Sequence, residues 1–424
     1  MIFNSIVLRR FVCAVFVISV IQTELVVAAE WKVEPVIYLK TLYDDNVRMK
    51  TDLDNPEDST AYVFEPLVKI SGEEQSIWDV SIDARGRVSR YQDIEDADDE
   101  NVFFDFNAGR KTELSDWRLN TSYERNTNFD TDYDTESPLA GLLDDRTDRT
   151  TVTVVPSVSF ITSEISQLNF SLFSTEVSYD EVTSLGITGY EYASANLSSS
   201  WRVEQNHQLG LTGSYSEYES PETSFFWDNT ELSIDYTYTI NQSSNIRLSV
   251  GARKLNSVAK NVVVACVNPG EFESLGGCFF SAPVFGDRAG EDKGTVTDVS
   301  YVSKSETTSH TFSGGRTVIP SSFGSAQEQI KVSYIFNNQS TERLSTKLIL
   351  DASETETLSG IDSSNDRKRY RVEPSIRYRL SENWSLDFLY RYIEQNKTNS
   401  DEDSVSNAVF INLYLSWPKL ATTY

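Results

Sequence analysis

From Asn229 to Leu255 the chain alternates apolar and polar residues with a period of two. Leu232, Ile234, Tyr236, Tyr238 and Ile240 share one face, and Glu231, Ser233, Asp235, Thr237 and Thr239 share the other. Asn241-Gln242-Ser243-Ser244 then separates this run from a second, in which Ile246, Leu248, Val250 and Ala252 alternate with Arg247, Ser249, Gly251 and Arg253. That is strand, turn, strand, with one apolar face throughout. Eighteen such segments succeed one another, beginning near Trp31, Thr60, Ile77, Val102, Trp117, Thr151, Gln167, Thr188, His207, Asn229, Asn245, Thr295, His310, Glu328, Arg343, Arg367, Trp384 and Asn407. Gly314-Gly315 and Pro320 interrupt the thirteenth, so sixteen strands is the alternative count. The seventh changes phase between Phe173 and Val177, which reads as a bulge.

The connections fall into two classes. After even-numbered strands the link is short and polar, as in Glu73-Glu74-Gln75-Ser76, Glu204-Gln205-Asn206 and Ser381-Glu382-Asn383. After odd-numbered strands it is longer and usually acidic, as in Gln92 to Asn101, Asn128 to Asp148 and Asn256 to Gly294. Tight turns at one rim and long loops at the other is the pattern of an antiparallel transmembrane β-barrel, with the turns periplasmic and the loops extracellular. Trp78, Trp117, Trp201 and Trp384 fall beside short turns, where an interfacial aromatic girdle would place them. The longest loop is a candidate to fold inward and narrow a pore.

The N-terminus agrees with this compartment. Arg9-Arg10 precedes the apolar run Phe11 to Ile21, and Val27-Ala28-Ala29 supplies small residues for signal peptidase. Residues 1–29 therefore read as a signal peptide and 30–424 as the barrel. No later segment has the length and apolarity of a membrane helix, and strands cross lipid only as a closed barrel. There is no room before the first strand for a folded plug, so a gated iron transporter is not expected.

Charge and composition narrow the function. Lys and Arg number 37 against 64 Asp and Glu, a formal charge of −27, which disfavours nucleic acid as a partner. Within this acidic chain, Arg367, Arg369, Arg371, Arg377 and Arg379 share one strand face with Glu373. Five guanidiniums on a lumen wall suit an anionic solute or acidic polysaccharide; alternatively they pair with acids such as Asp351 and Asp387 on neighbouring strands. Lys69, Asp79, Asp83, Arg85, Arg87, Asp105 and Asn107 would also line the lumen.

Other chemistry is sparse. Asp130, Asp132, Asp134 and Glu136 alternate, but Thr135 stands where a calcium loop needs glycine, so no metal site is assigned. The second acidic cluster, Asp93 to Glu100, has no diagnostic spacing either. Cys266 and Cys278 are candidates for one disulfide in the longest loop. The histidines, His207 and His310, both lie at the short-turn rim, and Ser309 points away from His310, so no enzyme and no cofactor are expected.

Tyr43-Asp44-Asp45-Asn46-Val47 after the first strand, Phe64-Glu65-Pro66 in the second and Ser416-Trp417-Pro418-Lys419 at the last complete the motifs. With these the mature chain resembles the outer-membrane β-barrel proteins associated with exopolysaccharide and exosortase (PEP-CTERM) systems. The resemblance implies an outer-membrane location and a link to polysaccharide export or surface-protein sorting, with no catalytic residues to carry over. The expectation is thus a porin-like pore or assembly component in contact with outer-membrane lipid, polysaccharide or its export machinery. The competing expectation is a non-conducting surface barrel that binds matrix, partner proteins or divalent ions.

Overall fold

A computed structural model describes residues 30–51, 55–74, 77–94, 97–127, 147–180, 187–266, 283–359, 366–397, 403–417 and 420–423. Eighteen long strands run in chain order around one sheet: β1 (Glu30–Asp44), β2 (Ser59–Glu74), β3 (Trp78–Tyr91), β4 (Asp99–Lys111), β5 (Ser115–Thr127), β6 (Asp148–Ser163), β7 (Ser166–Tyr179), β8 (Tyr190–Glu204), β9 (His207–Ser220), β10 (Phe225–Asn241), β11 (Ser244–Cys266), β12 (Pro283–Lys304), β13 (Thr308–Ser321), β14 (Ser325–Gln339), β15 (Leu344–Ser359), β16 (Arg367–Arg379), β17 (Trp384–Lys397) and β18 (Asp403–Ser416). Each pairs antiparallel with its sequence neighbours, and β1 pairs with β18 from Val36↔Ser416 to Asp44↔Ala408, which closes the barrel. A short β19 (Leu420–Thr423) pairs with Glu30–Val33 of β1.

The apolar face of the alternation points outward. Leu232, Ile234 and Val250 are 58%, 64% and 63% exposed on the bare protein, a cost in water that a surrounding hydrocarbon phase removes. At the short-turn rim this band ends in rings. Trp31 and Trp78 lie 6.2 Å apart, Trp117 meets Phe160 edge-on at 5.8 Å, and Trp201, Trp384 and Trp417 are exposed. Both histidines join the girdle in the same way. His207 Nδ1 is 2.8 Å from the Tyr236 hydroxyl with its ring 5.0 Å from Tyr238; His310 Nδ1 is 2.9 Å from the Tyr334 hydroxyl with its ring 5.0 Å from Phe336. A closed barrel with an outward apolar band and an aromatic rim is the architecture of porin-type outer-membrane proteins.

Two sequence expectations need correction, and the count of eighteen strands stands. The twelfth strand begins at Pro283 rather than near Thr295, and β11 runs on to Cys266, so most of the predicted Asn256–Gly294 loop is a long hairpin. The seventh strand has no bulge between Phe173 and Val177, where its register with β8 is continuous. Its apolar residues change sides instead: Leu168, Phe170 and Leu172 face outward, whereas Phe173 and Val177 face the lumen, where Phe173 meets Tyr192 at 5.8 Å. The thirteenth strand is present despite its glycines, paired with β14 over its whole length.

At the long-loop end the lumen holds two apolar clusters among buried polar groups. Leu42, Ala61, Val63, Ala408 and Phe410 on the inner wall cluster with Val47, Ile94 and Ala97 of the β1–β2 and β3–β4 connections, which tuck inward. Across the mouth a second cluster joins the inner faces of β7–β11, through Val177, Tyr190, Tyr218, Phe225, Trp227, Leu255 and Ala259, to Val318 and Ala326 of the β13–β14 hairpin. Among the described residues, this hairpin thus folds into the mouth as those connections do, and the tip of the longest loop, 267–282, lies outside them.

Candidate functional site

The candidate site is the lumen wall made by β15–β17 and continued on β1–β3. Strand geometry puts alternate residues inward, so Arg367, Arg369, Arg371, Glu373, Arg377 and Arg379 of β16 all stand on one face, opposite inward residues of β15 and β17. Lys347 of β15 and Arg391 and Lys397 of β17 raise the inward cations to eight, and Asp351, Glu373 and Asp387 are the inward acids of these three strands. The five predicted arginines are thus together, and two of them are paired with acids. Arg371 pairs with Asp351, donating from Nε at 2.8 Å, and Arg377 is bidentate to Asp387 at 2.7 Å for both bonds. Arg367 and Arg369 are buried nearer the long-loop end, Arg367 at 3.4 Å from the Gln395 side-chain oxygen.

A second node sits beside them. The Glu65 carboxylate, fully buried, accepts from Lys40 Nζ at 2.8 Å, Arg87 Nε at 2.9 Å and Arg85 Nη1 at 3.4 Å. Arg85 and Arg87 lie over the Phe103 ring at 4.0 and 5.1 Å, and Arg391, bonded to Glu373 at 2.9 Å, lies 4.9 Å over Phe410. The aromatic faces hold the guanidinium planes flat against the wall while leaving their edges for hydrogen bonding. Three cations thus converge on one carboxylate, with Asp83 and Asp105 on the same inward face beside them.

Below these nodes the wall borders a cavity of about 750 Å³, lined among others by Tyr38, Lys40, Lys304, Lys347, Arg377 and Asp387. Tyr38 and Tyr414 form an aromatic pair at 5.1 Å. On the far wall a smaller recess of about 230 Å³ is lined by amides and hydroxyls with Asp235 and Arg247.

The remaining candidates are placed as follows. Lys69 lies 3.9 Å from Asp83, and Asn107 donates to Ser81 at 3.3 Å. Arg118 of β5 holds Asp79 at 3.1 Å. Ser309 and His310 have different partners on opposite faces, Asn337 and Tyr334. Among the described residues no group of three or more His, Cys, Asp or Glu is placed to hold a metal. In the second acidic cluster Asp98 accepts the Tyr91 amide at 2.7 Å and Asp99 accepts Thr127 at 2.9 Å, so these acids shape the turn. Asp130, Asp132, Asp134, Glu136 and Cys278 lie outside the described residues, as does the side chain of Cys266.

The Asp44-Asp45-Asn46 motif serves the barrel seam. Asp45 accepts the Asn407 backbone and side-chain amides at 2.7 and 2.8 Å, Asp44 accepts Ser406 at 2.8 Å, and Asn46 donates to the Val405 carbonyl at 2.9 Å. The last strand is thereby tied to the first. Sequence reading missed a third ionic node, in which Glu328 accepts from Arg253 at 2.8 Å and Arg316 at 2.6 Å. Its signal was Glu328 standing in phase with the outward apolar residues Ile330 and Val332.

No family model matches the chain, and no curated relative matches it. Among solved structures, the chain is similar to OccAB2 of Acinetobacter baumannii at 13% identity, covering 92% of this chain and 98% of that one with a TM-score of 0.43. It is similar to OccK2 (OpdF) of Pseudomonas aeruginosa at 9% identity, covering 92% and 98% with a TM-score of 0.43. It is also similar to the ferric-catecholate import receptor Fiu of E. coli K12 at 8% identity, covering 91% and 81% with a TM-score of 0.46.

Proposed function

We propose that this chain is an outer-membrane pore whose lumen favours anionic or carbohydrate solutes, acting as a channel or assembly component linked to exopolysaccharide export or surface-protein sorting. One observation carries the reading: in a chain of net charge −27, the inward face of β15–β17 carries eight cations against three acids. A charge excess on a low-dielectric wall concentrates counter-ions inside the lumen. The Tyr38–Tyr414 pair beside Lys40 and Arg377 adds flat apolar surface next to cations, which suits a sugar ring bearing a carboxylate. The link to export rests on the resemblance of the sequence motifs.

The second reading, a non-conducting surface barrel, is favoured by the inward-folded connections and by the pairing of Arg371 and Arg377. Solute uptake by proteoliposomes separates the two. A pore admits a uronic acid faster than a neutral hexose of the same size, and Arg371→Gln with Arg377→Gln narrows that difference. Equal exclusion of both sugars by a folded barrel would support the surface reading.

A further inference from the structure

The β13–β14 hairpin leaves the barrel wall. Pairing between β12 and β13 ends at Thr297↔Arg316, yet β13 stays paired with β14 to Ser321↔Ser325, and β14 with β15 to Ala326↔Ser359. On its other side β15 pairs with β16 up to Thr355↔Arg367, where β16 begins, and Thr357 N–H donates to Asp366 at 2.6 Å. The outer ends of β13 and β14 therefore leave β12 together. The departure point is Gly314-Gly315. A Cβ on Gly315 would stand 3.1 Å from the Thr297 carbonyl, and glycine is what allows the strand to bend beside that neighbour.

The hairpin crosses the mouth to reach strands that are not its neighbours. The Tyr218 hydroxyl donates to the Ser321 carbonyl at 2.7 Å, Thr188 N–H donates to the Ser322 carbonyl at 2.7 Å, and the Tyr179 and Ser322 hydroxyls are 2.7 Å apart. Val318 and Ala326 cover the stacked Tyr218 and Trp227, while Glu328 receives Arg253 from β11, across the intervening β12. The same interface is incompletely satisfied. Among the described residues, Trp227 Nε1, Thr223 Oγ1, Ser325 Oγ and Arg316 Nε are buried without a hydrogen-bond partner. A contact held by a few apolar groups and one charged latch, with orphaned donors inside it, is one that opening to water would partly repay.

We propose that this hairpin is a gate over the long-loop mouth, hinged at Gly314-Gly315 and latched by Glu328 to Arg253. The proposal rests on the reading of the lumen as a conducting pore. Closed, the hairpin lies on Tyr218 and Trp227; open, it withdraws toward the outer part of β12, which it leaves beyond Thr297↔Arg316.

The test uses the full mature chain in a planar bilayer with Cys266→Ser and Cys278→Ser as background. Thr223→Cys with Gly324→Cys supplies a lock, because a Cβ on Gly324 lies 3.4 Å from that of Thr223, near the separation of about 3.5–4.5 Å that a disulfide takes. Glu328→Gln supplies an unlatched form that needs no residue in the left-handed conformation of Gly324. The gate requires that the oxidised pair suppress large current steps and that dithiothreitol restore them. It also requires Glu328→Gln to raise the open fraction by about tenfold, the effect of losing a charged hydrogen bond. Identical currents from background, oxidised, reduced and Glu328→Gln proteins would overturn the gate and leave the pore standing. No current from any of them, Glu328→Gln included, would remove the pore reading and the gate with it. Should the cysteine pair not fold, an unchanged open fraction in Glu328→Gln alone overturns the gate.

Discussion

Trp227 lies flat on Tyr218, with ring planes 5° apart and centroids 5.5 Å apart, where the two residues oppose each other on β10 and β9. Both face the lumen and both are fully buried, because the β13–β14 hairpin covers them. Tyr218→Phe keeps the stack and deletes the bond to Ser321. The expected loss is about 1 kcal/mol of hairpin docking, read as faster acrylamide quenching of the indole and faster trypsin cleavage at Arg316. Unchanged quenching would mean that the hydroxyl does not hold the hairpin.

Glu65 gathers Lys40, Arg85 and Arg87 around a carboxylate that water does not reach. Glu65→Gln leaves three cations without their acceptor charge. Breaking a buried ionic node costs about 3–5 kcal/mol, so the barrel should lose its compact, heat-modifiable band on a gel at markedly lower urea. Restoring balance with Arg87→Gln in the same chain should recover part of the loss. A wild-type urea midpoint for Glu65→Gln would contradict the role assigned to this node.

The seam between first and last strands depends on Asp45. Asp45→Ala removes two hydrogen bonds to Asn407 at once, each to a charged acceptor and together worth about 3 kcal/mol. Amide exchange should rise at β1 and β18 and stay unchanged at β9 and β10. Uniform protection around the barrel would show that the clamp is dispensable.

At the short-turn rim, Gly72 exists to seat Trp31. A Cβ at Gly72 would lie 2.9 Å from the indole ring, and Trp31 in turn leans on Trp78. Gly72→Val should displace the indole and cost about 1–3 kcal/mol as overpacking, lowering the yield of barrel inserted into lipid vesicles. Adding Trp31→Ala to Gly72→Val should restore the yield.

The strands were legible because one face of each meets a single apolar medium, so the period of two survives along the whole run. The register was legible in part: Asp351 and Asp387 face Arg371 and Arg377 across strands, the second pair kept in step by the short Ser381-Glu382-Asn383 turn. Legibility failed where the medium changed. Beyond Thr295 toward Pro283, β12 is glycine-rich and charged and carries no alternation to read. In β7 the apolar phase moved from the outer to the inner face because the hairpin brings an apolar partner into the lumen. Gly314-Gly315 and Pro320, which weakened the thirteenth strand on paper, mark the same departure from the wall. The ionic node of Glu328 was hidden because Arg253 comes from β11, a strand that does not pair with the β13–β14 hairpin and meets it only where the hairpin folds inward.

The most direct measurement of the central claim is the reversal potential of single channels under a potassium chloride gradient, for wild type and for Arg371→Glu with Arg377→Glu. A cation-walled lumen gives steady steps with a reversal potential on the chloride side, and the double variant moves it toward the potassium side. A folded barrel with no steps, or one selective for potassium in the wild type, would contradict the account.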